Sequence, residues 1–266
     1  MLGIVQGRLS YSGKKLQLFP KYPYKEFKLA SNLGYDFIEF FGEKIKNYKN
    51  PVWSNSGRKK YIQLSKINRI KIFSFCDNYI INHHIHSSQT LHEIIKTIDL
   101  LEKLNIKKYI LPLYGKSEIN QKNEKKVFKN LSIISKICKK KKIELLLENN
   151  MSPENFNKLK KEVNSNNCFF LFDTGNRISL DENPIKDILK FGNNLKHIHL
   201  KDKNIYNKNV IIGDGIVNFD SIFGALKKIN YKGSFTIESQ RGKNIQDQAK
   251  KNCIYFKGLI KKYLKK

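Results

Sequence analysis

The chain has 266 residues, 40% of them apolar and 28% charged. That is enough apolar content for one sizeable core, and the lack of any run of about 18 consecutive apolar residues argues against a membrane-spanning helix. The net charge of +28 raises a polyanion partner. The lysines are spread along the whole chain, however, and the local runs at residues 139–142 and 261–266 fall where helices should end and cations are favourable. They read as solvated helix faces, and nucleic acid is not the expected partner.

In chain order, the opening Met1-Leu2-Gly3-Ile4-Val5-Gln6-Gly7-Arg8 lacks the charged-then-apolar build of a signal peptide and reads as a first strand. Short apolar or β-branched runs predict strands at residues 2–5, 37–41, 70–75, 108–113, 143–147, 168–172, 195–200 and 234–237. Helical spacing lies between them. Tyr24, Phe27, Ala30 and Leu33 form one stripe, with Gly34 as its C-cap. Leu91, Ile94, Ile95, Ile98 and Leu101 form a second, and Val127, Leu131, Ile134 and Ile137 a third. Ser152-Pro153-Glu154 and Asn183-Pro184 each place a cap residue before a proline at the first helical position, and Gly192 closes the sixth helix. Phe219, Ile222, Phe223 and Leu226 mark the next helix; Ile254, Leu259 and Ile260 mark the last.

Strands alternating with helices predict a parallel sheet. Eight such units in a chain near the typical length of about 250 residues, with no Gly/Ser- or Pro-rich linker, predict an α/β fold: a single (β/α)8 TIM barrel over residues 1–266. A doubly wound open sheet would usually place a Gly-rich phosphate loop after its first strand. Here that turn reads Gln6-Gly7-Arg8-Leu9-Ser10. The four cysteines (Cys76, Cys138, Cys168, Cys253) form no C-x-x-C pair, so a cytoplasmic protein with reduced thiols is expected.

In a barrel of parallel strands the active site lies at the strands' C-terminal ends. Those ends are polar here: Gln6 and Arg8; Glu39; Cys76 and Asp77; Tyr114; Glu148 and Asn149; Asp173 and Asn176; His199, Lys201 and Asp202; Glu238. Helix capping accounts for Asn149, but poorly for Glu148, which follows three leucines. Glu148, Asp173, His199 and Glu238 end strands five to eight in succession. Three carboxylates and an imidazole suit Mn²⁺, Mg²⁺ or Co²⁺ and can also hold Zn²⁺. Without a cation, three clustered carboxylates would repel one another and their pKa values would rise.

Leu146-Leu147-Glu148, Phe172-Asp173-Thr174-Gly175-Asn176, His197-Ile198-His199-Leu200-Lys201-Asp202, Gly213-Asp214-Gly215 and Thr236-Ile237-Glu238, in this order and spacing, resemble the xylose-isomerase-like barrel superfamily. That group holds sugar-phosphate isomerases and epimerases, ketose 3-epimerases, inosose dehydratases and the endonuclease IV type of abasic-site nuclease. Gln6-Gly7-Arg8-Leu9-Ser10, Phe19-Pro20 and the segment from Leu33 to Glu39 resemble one bacterial isomerase/epimerase-like subgroup. The resemblance implies that Glu148, Asp173, His199 and Glu238 hold the metal, and that Glu148 and Glu238 are the catalytic proton carriers. The substrate is then a small sugar or sugar phosphate, turned over through an enediolate. Gln6, Arg8, Glu39, Asn176, Lys201 and Asp202 are the candidate substrate-binding residues, and His197, deeper on the same strand face, reads as a packed core residue. The resemblance also implies a homo-oligomer.

Two departures matter. The family often has a histidine three residues after the aspartate of strand six, where this chain has Asn176. The nuclease branch uses extra histidines at the third and fourth strand ends, which here read Ser74-Phe75-Cys76-Asp77 and Leu111-Pro112-Leu113-Tyr114. The cluster His83-His84-Ile85-His86 reads as a polar loop, having no adjacent acidic or Cys partner. An inosose-dehydratase-like lyase and an endonuclease IV-like nuclease are the alternatives to the isomerase or epimerase.

Overall fold

The computed structural model describes residues 1–10, 19–179 and 183–265; Lys266, the end of the second basic run, lies outside them. In chain order the elements are β1 (Leu2–Val5), α1 (Lys25–Leu33), β2 (Phe37–Gly42), α2 (Asn55–Asn68), β3 (Lys71–Asp77), α3 (Ser88–Lys103), β4 (Lys108–Pro112), α4 (Glu124–Lys140), β5 (Glu144–Glu148), α5 (Pro153–Val163), β6 (Cys168–Asp173), α6 (Thr174–Ile178), α7 (Pro184–Phe191), β7 (Leu195–Leu200), β8 (Asp202–Lys203), β9 (Asn209–Val210), α8 (Phe219–Lys228), β10 (Ser234–Ile237) and α9 (Ile245–Leu264). Eight strands close into a barrel in the order β1-β10-β7-β6-β5-β4-β3-β2, as the alternation predicts, and β8 and β9 form a separate two-stranded sheet.

Internal contacts sort the chain into two units. The first comprises Met1–Glu39, Leu64–Lys71 and Leu171–Lys266. Within it β1 pairs in parallel with β10 (Gly3 opposite Thr236) and with β2 (Val5 opposite Glu39), and β10 pairs with β7, setting Ser234 opposite His197 and Thr236 opposite His199. Side chains two apart on a strand share a face, so this register stacks two histidines beside a serine and a threonine. Around them the core is apolar: Phe27, Phe37, Phe223, Ile237 and Phe256 are fully buried, each contributing on the order of 1.5–3 kcal/mol.

The second unit comprises Phe40–Gln63 and Ile72–Phe170. Here β3 pairs with β4, and β4 pairs with β5 from Lys108–Glu144 to Pro112–Glu148. Tyr109, Leu111, Leu145 and Leu147 are buried. These strands read as near-continuous apolar runs, as expected of parallel strands covered on both faces.

The caps form as their residue types dictate. Ser152 accepts from the Asn155 N–H, and Asn183 from the N–H groups of Ile185 and Lys186, each ahead of a proline. Gly34 ends α1 at φ 86°, a left-handed conformation that disfavours a side chain. Two features depart from the sequence reading. β3 runs on to Asp77, because Cys76 still pairs with Ile110. α2 has no apolar stripe to betray it, for only Gly57, Arg58 and Tyr61 among its residues are buried. The four cysteines are free and buried, and among the described residues no helix is long and apolar enough to cross a membrane.

Candidate active site

Polar side chains on the inner faces of strands must satisfy one another, since an unmet buried group is costly. The first unit shows how. His197, wholly buried, has Nδ1 2.6 Å from Ser234 Oγ and Nε2 3.0 Å from Glu39 Oε2 and 2.8 Å from Thr236 Oγ1. The Thr236 hydroxyl donates to the same Glu39 oxygen at 3.2 Å. His197 Nε2 as a donor to Glu39 fits this set. Glu39 Oε1 lies 2.9 Å from His199 Nε2, so one buried carboxylate stands between two imidazoles. Burial alone would raise the Glu39 pKa; His199 and His197 instead hold it well below the usual carboxylate range.

The other face of His199 meets the strand ends. His199 Nδ1 is 3.1 Å from Glu238 Oε2. Lys201 Nζ is 3.0 Å from that same oxygen and 2.6 Å from Asp173 Oδ2. Arg8 reaches within 4.0 Å of Glu238 Oε1. The structure thus brings Asp173, His199 and Glu238 together from β6, β7 and the residue after β10. Burial would lower the His199 pKa, but Glu39 and Glu238 raise it well above its ordinary value. Burial would raise that of Glu238, but Lys201, His199 and Arg8 lower it.

Asp173 has two tasks. Its Oδ1 accepts the Asn176 N–H at 2.8 Å and so caps α6, leaving Oδ2 turned to Lys201. Thr174 Oγ1 donates to the Lys201 carbonyl and accepts its N–H, at 2.6 and 2.9 Å. A Cβ on Gly175 would stand 2.9 Å from Lys201 Cγ, so glycine leaves the passage that the lysine stem follows. The donor set fits a divalent ion by its chemistry. Within the first unit, Glu39, His197 and His199 offer buried donor atoms within 4.8 Å of one another, and carboxylate and imidazole are the ligand types such an ion takes.

Other predicted site residues are placed as follows. Gln6 is 1% exposed and its N–H donates to the Glu39 carbonyl at 2.9 Å. Asp202, expected at the substrate, accepts the N–H groups of Lys203, Gly213, Gly215 and Val217 at 2.9–3.2 Å. Its carboxylate holds the Gly213-Asp214-Gly215 turn beside the β8–β9 pair. Glu148, in the second unit, ends β5, is buried, and accepts the Leu113 N–H on its carbonyl at 2.8 Å. His83 stacks on Tyr79 with ring centroids 3.7 Å apart, and His84 Nδ1 lies 2.9 Å from the Lys116 carbonyl, consistent with a polar loop.

Sequence reasoning missed Glu26 and Arg241. Glu26 on α1 accepts the N–H of Gly7 at 2.7 Å and of Leu9 at 3.3 Å, and the Ser10 hydroxyl at 2.8 Å. Arg241 donates to the carbonyls of Gly7 and Ser10 at 3.1 and 2.6 Å. Together they clamp the loop that carries Gln6 and Arg8. Burial pushes the Glu26 carboxyl up to about 7, against the lowering by its three donors and Arg8. A signal for Glu26 exists: it precedes Ala30 by four residues and so shares that helix's buried face.

The chain matches the family model of the xylose isomerase-like TIM barrel over residues 27–258. It belongs to that family. An inosose dehydratase of Clostridium tetani is 25% identical over 213 residues, covering 66% of this chain and 70% of that protein. Against other clostridial inosose dehydratases the match spans only 52–57% of their length. Among solved structures, a D-psicose 3-epimerase with D-tagatose from Clostridium cellulolyticum superposes with a TM-score of 0.79 at 16% identity, covering 100% of this chain and 99% of that one. A 3-keto-D-glucoside 4-epimerase from E. coli gives 0.75 at 15% identity, covering 97% and 98%. At such identities these structures support the family's fold.

Proposed function

We propose that the chain is a divalent-metal-dependent isomerase or epimerase of a small sugar or sugar phosphate. The observation that carries this reading is the meeting of Asp173, His199 and Glu238 at the ends of parallel barrel strands. What supports Glu148 as fourth ligand is the strand order: β5 neighbours β6, β6 neighbours β7 and β7 neighbours β10, and Glu148 ends β5 as Asp173 ends β6. The epimerase structures and inosose dehydratase sequences that it resembles are consistent with sugar chemistry.

The ion, held by Glu148, Asp173, His199 and Glu238, would supply Lewis-acid stabilisation of charge developing on substrate oxygens. The residues do the rest. Glu39 orients the His199 ring by engaging Nε2. Glu238, kept ionised by Lys201, His199 and Arg8, is ready to accept a proton from the carbon beside the carbonyl; Glu148 is the second carrier. A proton returned to the opposite face of the same carbon inverts it, and one returned to the neighbouring carbon moves the carbonyl. Gln6, Arg8 and Asn176 are the proposed contacts to hydroxyls or a phosphate.

Nuclear magnetic resonance in D₂O tests this directly: ketoses and their phosphates should take up solvent deuterium at the carbon next to the carbonyl. A panel of such sugars with no uptake at any carbon would remove the reading. The dehydratase relatives favour a second outcome on the same residues, loss of water from an inosose, which the same spectra would reveal as a new unsaturated product.

A further inference from the structure

Two residues beyond Lys201, the β8–β9 hairpin of the first unit places a second lysine, Lys203. Its backbone is fixed on both sides: it pairs with Asn209 across the hairpin, and its carbonyl accepts the Ile216 N–H at 2.8 Å. Gln240, two residues after Glu238, donates to the Asn209 carbonyl and so ties the hairpin to the segment that follows β10. The Lys203 side chain is half-buried. It gives two of its three N–H groups to neutral acceptors, Asn207 Oδ1 at 2.8 Å and Ser179 Oγ at 3.2 Å. The Ser179 hydroxyl also reaches Asn207 Oδ1 at 2.6 Å, so the three groups hold one another. Among the described residues the hydrogen bonds of the ammonium are both to neutral oxygens, and it makes no ion pair. The adjacent Asp202 is taken up by the N–H groups of Gly213, Gly215 and Val217. Asp173 and Glu238, whose charges act on Lys203, are bridged by Lys201.

A half-buried ammonium held by neutral groups favours an anion at its remaining N–H. Water meets that hydrogen bond but not the charge; an anionic oxygen meets both. Alternation along the chain turns Lys203 to the side of Lys201, about 6–7 Å further on, and the action of Glu238 on both lysines agrees. A sugar whose reacting carbon meets Glu238 would therefore bring a group a few carbons along its chain to Lys203. The fork of an arginine best matches a planar carboxylate, whereas a lysine is a point charge suited to phosphate. We propose that Lys203, held by Ser179 and Asn207, binds the phosphate group of a phosphorylated sugar. The proposal rests on the reading of the chain as a sugar-acting enzyme and narrows its substrate to the phosphorylated class.

The test is calorimetry on the full chain with Mg²⁺, beside deuterium uptake from D₂O. The probes are inorganic phosphate, and D-fructose 6-phosphate, D-tagatose 6-phosphate and D-ribulose 5-phosphate against D-fructose, D-tagatose and D-ribulose. Inorganic phosphate should bind, and at least one ketose phosphate should bind tenfold or more tightly than its plain counterpart. Lys203→Met, which keeps the apolar stem and removes the charge, should weaken inorganic phosphate at least fivefold. It should also bring the ketose ratio close to one with plain-sugar binding unchanged, while Lys203→Arg keeps most of the preference. Asn207→Gly, which suits the φ of 58° there and takes away one acceptor, should lower the preference severalfold with the circular dichroism spectrum unchanged. The subsite is overturned if neither inorganic phosphate nor any ketose phosphate binds, if binding is equal within all three pairs, or if both Lys203→Met and Asn207→Gly leave the preference untouched. A loss under Lys203→Met shared equally by plain and phosphorylated sugars also overturns it, since a lysine that only props the hairpin would act so. Deuterium uptake with plain ketoses and no phosphate preference sinks the subsite alone. A phosphate preference abolished by Lys203→Met, without uptake into any sugar, supports the subsite and counts against the isomerase reading.

Discussion

The ends of β7 and β10 and the ends of β4 and β5 differ in kind. Around His199 and Glu238, buried polar groups are crowded and almost all ionic or imidazole: Glu39, His197, Asp173 and Lys201 lie within 2.6–3.1 Å of their partners. Around Leu113 and Asn149 the lining is mostly neutral, and it encloses space. Charge packed this tightly is costly to disturb and suited to moving protons or holding an ion. Space walled in part by Leu113, Ile119 and Met151 is suited to fit. On the proposed function, chemistry belongs to the first region.

The sharpest way to break that division is Glu238→Gln. If the carboxylate carries a proton, deuterium uptake should fall by about 10²–10⁴-fold, measured by resonance on a turned-over sugar, while the melting curve shows the fold intact. Uptake within threefold of the parent would take the chemistry away from this region. Next in size is His197→Ala. Removing the imidazole opens a cavity among fully buried groups and takes one hydrogen-bond partner from Glu39, a loss of roughly 3–5 kcal/mol in urea unfolding. Tyr109→Phe in the second unit, which removes a 2.6 Å hydroxyl bond to buried Asp77, should cost only about 1–3 kcal/mol. Equal costs would erase the contrast.

Glu26 adds a pH test within the first unit. Its folded-state pKa of about 7 lies above the ordinary 4.5. Between those values the native protein keeps a proton that the unfolded chain has lost, so the Glu26 contribution to stability falls as pH rises from about 4.5 to about 7 and is level above. The drop amounts to at most about 3 kcal/mol. Urea melts of Glu26→Gln should lack this slope; parallel pH profiles for parent and variant would refute it. The smallest effect is expected from Asp202→Asn, which weakens a carboxylate that serves four backbone N–H groups. About 1–2 kcal/mol of stability should go, with substrate KM unmoved. A raised KM with unchanged stability would return Asp202 to the substrate.

The barrel was legible because short apolar runs alternate with amphipathic stripes, and because caps such as Ser152 and Asn183 are local chemistry. α2 was not, since it buries little. Nor was the β8–β9 pair, two residues to a strand, whose neighbouring turn is gathered by Asp202 from across a dozen residues. In the candidate site, strand-end position identified Asp173, His199 and Glu238, which meet in the structure. It did not reveal that Glu39 faces two imidazoles, because that depends on the lateral register of β1, β2, β7 and β10. Glu26 was hidden because a carboxylate on a helix's buried face looks like an ordinary first-turn acid until its loop partners are known.

Whether Glu148, Asp173, His199 and Glu238 hold one divalent ion is read out by equilibrium dialysis of the purified chain against Mn²⁺ or Co²⁺ beside His199→Ala. One ion per chain is expected, with affinity at least tenfold weaker in the variant. No stoichiometric ion, or an ion bound equally well without the imidazole, would contradict it.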